Sequence, residues 1–577
     1  MSAAMIASRK RTLRTVVTSQ HALSTRLALE AAKRHACPMI RWLSLPLLLA
    51  LTAASEPAVP ILSPERIKAD VRTLSGDDFH GRGPTQVGEA VTLAFLAKRF
   101  ASLGLKPEGD DGYRQRVPLL RWTRDQARFQ IALGKATRAL NPGVEIAASS
   151  RIVGSSMVTA APVVFVGYGI VEPKLGYDPY LGLDVRGKVV VALAGDPDVE
   201  AGRDLGFGGR ASSPAARTKL TEAQNRGAVA FLQIHDNFPS SYPWLQLAKG
   251  DAVPGYALDT GTVPSAFGLR GTLRNDIGVA MLRQGGLDYV AAKRAAQSAK
   301  FRGVELKGVT FSGMTQTSLA HVISHNIVGI LPGSDPTAGS ILYGAHWDAY
   351  GENDFDPPAD RIRNGAVDNG TGTATLLEIA RTYTAAKRPR RSVVFALWTA
   401  EEKGLLGASW YADHPVLPLA TTAAQFNLDP HVVLGRTRSL ELIGVGRTPL
   451  ETDLGRVAAA QSLTIVPEEN TEAGWYYRSD HYALAQKGVP GVYFRASRDL
   501  VNGGPTAGER ERARYNAQCY HQTCDEFDLA WDMTGAAQEG SVAYALGREI
   551  TESTSWPSWN TSEPFGAERV KTKSQRW

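Results

Sequence analysis

The chain has 577 residues, 43% of them hydrophobic and 21% charged. That composition excludes a disordered or fibrous protein, and the length suits about two to four domains. The formal net charge of +7 lies wholly in residues 1–54, where Arg9, Lys10, Arg11, Arg14, Arg26, Lys33, Arg34 and Arg41 face a single acid, Glu30. The body of the protein is therefore neutral, which argues against nucleic acid as a partner.

In chain order, the first readable element is an address. From Met39 the sequence runs MIRWLSLPLLLALTAASEPAVP. A basic residue, an apolar stretch from Trp42 to Leu51 and small residues up to Ala54 form the layout of a secretory signal, with cleavage near Ala54. Met39 is an alternative start. Cys37 precedes the apolar stretch, so it is no lipid anchor. The expected location is a periplasm or the exterior. No apolar run reaches the ~18 residues of a spanning helix, so no stable membrane insertion is expected once the signal is removed. With Cys37 gone, Cys519 and Cys524 remain as an even pair across CYHQTC, either bridged or as two free thiols.

Residues 63–105 predict two helices joined by a glycine-bearing loop, the first opened by Ser63 and the second carrying Ala94, Leu96, Phe100 and Leu103 on one face. A strand-rich stretch follows from about 130 to 310, with buried runs at 163–166, 189–193 and 229–232. From Asn326 onward, strands alternate with helices, the pattern of an α/β fold with a largely parallel sheet. The last twenty residues, with Pro557, Pro564 and several charges, read as a loose tail.

Each strand-like run in the α/β part stops at a metal-type side chain. The run 341–345 ends at His346, with Asp348 two residues on. The run 392–398 ends just before Glu401 and Glu402, and 425–428 ends at Asp429. Asp368 sits immediately before a predicted helix, whose amides favour a carboxylate there, and His521 adds an imidazole. Open α/β sheets place their sites outside the carboxyl ends of strands, so these residues can converge. Oxygen and imidazole donors without thiolate suit a catalytic zinc site with open positions. Adjacent Glu401 and Glu402 allow one carboxylate to bind metal while the other moves a proton. His481 is the main competitor for His521; His321, His325, His414 and His431 read as structural. The sequence contains no HExxH, GxSxG or P-loop signature.

HWDAYG, GAVDNGTGTATLLEIAR, WTAEEKGLLGASWYA, FNLDP, YRSDHYALAQKGVP and YHQTCDEFD together resemble the di-zinc aminopeptidase and glutamate carboxypeptidase family, metallopeptidase family 28. The intervening VVFVGYGI, YLGLDVRGKVVVALAGDP and RGAVAFLQIHD resemble the protease-associated domain that many members carry as an insert. The resemblance implies a leader over 1–54 and a peptidase domain made of 55–130 and 305–555. It also implies a β-rich insert over 131–304 and a tail over 556–577. It implies two zinc ions, one held by His346 and Asp429, the other by Glu402 and His521, with Asp368 bridging them. Glu401 becomes the general base for a hydroxide bridging the metals. Asp348 orients His346, and Tyr520 polarises the scissile carbonyl. A cis peptide is implied at Asp368–Asn369. The chain departs from the pattern at Ala349-Tyr350, where relatives carry a second histidine, and at NLDP. The acidic loop Glu352–Asp360 reads either as a receptor for a substrate ammonium or as a solvated loop.

The resulting expectation is a secreted zinc exopeptidase acting on peptides, most simply an aminopeptidase. A carboxypeptidase or aminoacylase of the same fold, and more remotely a non-catalytic binding protein, stay open. The sequence does not fix the oligomeric state.

Overall fold

The structure is a computed structural model, and it describes residues 62–207, 218–237, 243–250, 253–263, 267–354, 356–429 and 435–576. The leader with its cleavage site, Met39, Cys37 and His431 lie outside these residues. A long mixed sheet forms the backbone of the fold. Its main strands are β1 (Arg114–Leu133), β2 (Ile146–Ser149), β3 (Gly154–Phe165), β4 (Val189–Leu193), β5 (Ala230–Ile234), β6 (Leu269–Leu273) and β7 (Val304–Leu331). The later ones are β8 (Ser340–His346), β9 (Ser392–Trp398), β10 (Thr422–Asn427), β11 (Ser439–Ile443), β12 (Thr464–Pro467) and β13 (Gly491–Ala496). Their order is β12-β11-β13-β10-β8-β9-β7-β3-β4-β5-β6-β2.

The strands that end at candidate ligands run parallel. β8 pairs with β9 from Ser340↔Ser392 to His346↔Trp398, and with β10 up to Gly344↔Asn427. Their carboxyl ends therefore lie at one edge. Every residue of β8 and β10 is buried, as expected for parallel strands covered on both faces. The side chains alternate between two cores. Ile341, Tyr343, Ala345, Val393, Phe395 and Leu397 join the core under helices Pro64–Leu74, Gly372–Ala385 and Thr534–Glu552. Leu342, Val394, Ala396 and Trp398 face helix Leu406–Asp413 and helix His481–Gln486. Tyr343 stacks between Phe395 and Phe426, with ring centroids 5.7 and 4.8 Å apart.

β7 belongs to both parts of the sheet. Its first half pairs antiparallel with β3 and its last five residues with β9, while β1 runs antiparallel along most of its length. The segment between β1 and β7 has a core of its own, in which β3 to β6 run parallel. Helices Lys219–Asn225, Asn275–Gln284 and Tyr289–Ala295 lie between or after those strands, so the segment is α/β in character as well as strand-rich. The two N-terminal helices form at Pro64–Leu74 and Val87–Ser102, and the Ser63 hydroxyl caps the first by accepting from Arg66 N–H at 3.3 Å.

The expected loose tail is ordered. Trp559 and Phe565 are buried, Trp559 Nε1 donates to Gly488 O at 3.0 Å, and Arg569 Nη1 donates to Thr422 O at 2.8 Å. Two aromatic rings and a guanidinium with main-chain partners outweigh the two prolines that suggested a free end. Among the described residues no helix is long and apolar enough to cross a membrane.

Glu539, on the Thr534–Glu552 helix, accepts from Ala496 N–H at 2.9 Å, and burial pushes its carboxyl up to about 8. In an unfolded chain it titrates near ~4.3. Between these values the unfolded state has lost the proton and the folded state keeps it, so this group's contribution falls as pH rises through that window. Glu539→Gln, which stays neutral, should gain Tm relative to the wild type on going from about pH 5 to about pH 8. A constant Tm difference across that range would show that Glu539 does not titrate this way.

Candidate metal centre

The parallel register sets the geometry. His346 closes β8; Glu401 and Glu402 follow β9 by three and four residues; Asp429 follows β10 by two. Leu428 N–H donates to Gly344 O at 2.9 Å, which extends the ladder to within one residue of Asp429. Asp368 comes from the turn before helix Gly372–Ala385, and His521 from the loop after helix Gly504–Gln518.

These side chains meet. His346 Nε2 lies 3.3 Å from Asp368 Oδ1 and 3.5 Å from Asp429 Oδ1. His521 Nε2 lies 3.2 Å from Asp368 Oδ2 and 3.3 Å from Glu402 Oε2. The two oxygens of Asp368 thus face different histidines. His346, Asp368 and Asp429 form one compact donor group, and Asp368, Glu402 and His521 a second, with donor atoms within 4.8 Å of one another in each. Glu401 belongs with His346 and Glu402 in a third such group, its Oε2 3.8 Å from His346 Nε2. The donor chemistry fits zinc: imidazole and carboxylate without thiolate, and a buried Glu402 Oε1 with no hydrogen-bond partner among the described residues.

Residues 326–545 match the model of Peptidase family M28. This stretch belongs to peptidase family M28. The leupeptin-inactivating enzyme 1 of Streptomyces exfoliatus is 25% identical over 269 residues, 45% of this chain and 54% of that one. Mouse aminopeptidase NAALADL1 is 37% identical over 120 residues, 20% of this chain and 14% of that one. The match thus spans about half of the first relative's length and much less of the second's. An aminopeptidase from Aneurinibacillus sp. strain AM-1 shares the fold, with a TM-score of 0.51 at 17% identity over 85% of this chain and 94% of that one.

The M28 segment is pinned from outside the donor groups. The buried Arg82 guanidinium donates to Trp347 O at 2.8 Å, Leu74 O at 2.7 Å, Asn364 O at 2.6 Å and Gly365 O at 2.7 Å. It thereby ties the loop after His346 to the turn before Asp368. Gly365 adopts φ 57°, and a side chain there would collide with Asp368 O and Ala349. Asp525 accepts from Val367 N–H at 2.9 Å and Asp368 N–H at 3.1 Å, and Asn369 Nδ2 donates to Leu428 O at 2.9 Å. The Asp368–Asn369 peptide is cis, as the family resemblance implied. Cys519 and Cys524 are bridged, closing a short ring that contains Tyr520 and His521.

Asp348 does more than the sequence suggested. His346 Nδ1 meets the main-chain oxygen of Asp348 at 3.0 Å, whereas carboxylate Oδ1 is 3.7 Å away and accepts from Glu401 N–H at 3.0 Å. One residue thus orients the histidine and anchors the glutamate turn. Burial, then the neighbouring charges of Glu402, Asp480 and Asp429, push the Glu401 carboxyl well above its ordinary value despite His346. Burial opposes the charge of Asp368 too, but both histidines hold that carboxyl well below its usual range.

Tyr520 and Glu401 line a cavity of about 580 Å³, together with Trp475, Tyr477, Arg478, Tyr482, Gln246 and Leu247. Arg478 Nη2 donates to the Tyr520 hydroxyl oxygen at 3.2 Å. The sequence does not mark Arg478, Arg82 or Asp525, and it marks Tyr350 only as a departure from the family pattern; their roles depend on partners up to 283 residues away. His481 is buried at the start of its short helix, kept neutral by burial and by Arg447, and outside the donor groups. His321 pairs with Asp259, His325 with Glu89, and His414 stacks on Trp410. In the acidic loop Asp356 turns inward and pairs with Arg363 at 2.7 Å, while Glu352 and Asp354 are exposed, Asp354 pairing with Arg361 at 2.9 Å.

Arg82→Met should leave four carbonyls without their charged donor. A loss of at least ~3 kcal/mol is expected, since hydrogen bonds to charged groups contribute roughly 1.5–3 kcal/mol each. Denaturant unfolding of the metal-free protein measures it, and a loss below 1 kcal/mol (about half of one such bond) would deny Arg82 this role.

Proposed function

We propose that the protein is an exported two-zinc exopeptidase, an aminopeptidase on peptide substrates. The observation that carries this reading is Asp368, whose two oxygens each face one histidine-containing donor group. His346 and Asp429 would hold one zinc, Glu402 and His521 the other, and Asp368 both. Zinc in these positions supplies Lewis acidity toward a peptide carbonyl and makes water more acidic at neutral pH. The Cys519–Cys524 bridge supports an oxidising compartment.

The chain's own groups perform the remaining tasks. Glu401 lines the cavity with a carboxyl that burial raises well above its ordinary value, which strengthens it as a base to take a proton from the attacking water and deliver it to the leaving amine. With its oxygen accepting from Arg478, the Tyr520 hydroxyl is oriented to donate to the carbonyl oxygen as negative charge develops there. Asp348 keeps Glu401 in place through the Glu401 N–H. The aromatic wall and Leu247 give the cavity an apolar side for a substrate side chain.

Glu401→Gln and Glu402→Gln separate the roles of the adjacent glutamates. Glu401→Gln should keep about two zinc ions per chain and nearly the same KM while kcat falls ~10²–10⁴-fold. Glu402→Gln should lose zinc and activity together. Metal analysis beside steady-state kinetics decides between these outcomes, and zinc loss or full activity in Glu401→Gln would overturn the assignment.

A carboxypeptidase reading draws on Arg478 in the cavity lining, whose guanidinium suits a substrate carboxylate. Peptides blocked at one end discriminate. The aminopeptidase should cleave C-terminally amidated peptides and spare N-acetylated ones; the reverse pattern would select the carboxypeptidase.

A further inference from the structure

We infer that Tyr350 is the positioning residue of His521, and that its hydroxyl sets the zinc affinity of the half-site formed by Glu402 and His521. This rests on the two-zinc reading above. His521 Nε2 faces Asp368 and Glu402, so the neutral ring that binds metal must carry its proton on Nδ1. That proton needs an acceptor, and the Tyr350 hydroxyl lies 3.1 Å from Nδ1. The two rings also touch, with centroids 4.5 Å apart.

The other histidine is held differently. His346 Nδ1 meets a main-chain carbonyl, an acceptor that cannot rotate away. His521 has a side-chain hydroxyl instead, and the structure fixes that side chain with cations. Lys403 Nζ lies 4.2 Å from the Tyr350 ring centroid and the Arg363 guanidinium 5.6 Å from it. Arg363 is itself held by buried Asp356 through bonds of 2.7 and 3.2 Å. Tyr350 and Asp348 share the loop that follows His346, so this loop positions one histidine through its main chain and the other through this phenol. Partners on the second nitrogen of a metal-bound histidine typically change metal affinity or activity 10–100-fold when removed.

Tyr350→Phe keeps the ring and both cation contacts and removes only the hydroxyl. The test is titration of the metal-free full chain with zinc against a competing chelator, for wild type and Tyr350→Phe. The expected result is two binding steps in both proteins, with one unchanged and the other weakened about 10–100-fold. Activity of the variant should recover as free zinc is raised. Two steps of wild-type affinity, or equal weakening of both, overturns the inference. If wild type binds one zinc only, the two-zinc reading falls, and Tyr350 stands or falls by whether Tyr350→Phe weakens that one step. If Tyr350→Phe lowers the Tm of the metal-free chain, the split between the two zinc steps decides: weakening confined to one step supports the hydrogen bond, and equal weakening of both overturns it.

Discussion

Buried negative charge at one end of the sheet is the constraint on which the rest of the structure depends. Asp348, Asp368, Asp429, Asp480 and Asp525 are buried there, with Glu401 and Glu402 half-buried beside them. Taking charges out of water costs several kcal/mol per ion unless partners compensate. The chain supplies part of that compensation with main-chain N–H groups on Asp348 and Asp525 and with the Arg82 guanidinium behind the loops. What remains is what the proposed divalent cations would balance. Without them the site is a costly arrangement, one that packing in the two cores must sustain.

Those cores do so by leaving the strand ends little freedom. Side chains of β8 and β9 alternate between the two faces of the sheet, and both faces are covered by helices. The register between β8, β9 and β10 then places His346, the glutamate pair and Asp429 at one level. Loops carrying Asp368 and His521 have no such ladder. They are fixed instead by Arg82, Asp525, the Asn369 side chain and the Cys519–Cys524 bridge. Strands set four of the six donors, His346, Glu401, Glu402 and Asp429, and side-chain ties set the other two, Asp368 and His521.

The access side of the centre is also shared. Gln246 and Leu247, from the segment between β1 and β7, line the same cavity as Trp475, Tyr477 and Tyr482. Because β7 and β1 are hydrogen-bonded to each other along most of their length, that segment continues the same hydrogen-bonded sheet. Its contribution to the cavity border is built from side chains rather than from metal-type ligands.

The sequence by itself determined the α/β pattern, the order of the strand-end residues and the identity of the donors. Local chemistry suffices for these: apolar runs that stop at His or carboxylate, and motifs that keep their spacing whatever surrounds them. The use of the main-chain oxygen of Asp348 toward His346 and the ordered tail on Trp559 and Arg569 were decided only in three dimensions. So were Arg82 and Tyr350. Arg82 satisfies carbonyls up to 283 residues away, and Tyr350 reaches a histidine 171 residues on. No local pattern encodes such contacts, because each depends on which loops the parallel sheet brings to its carboxyl edge.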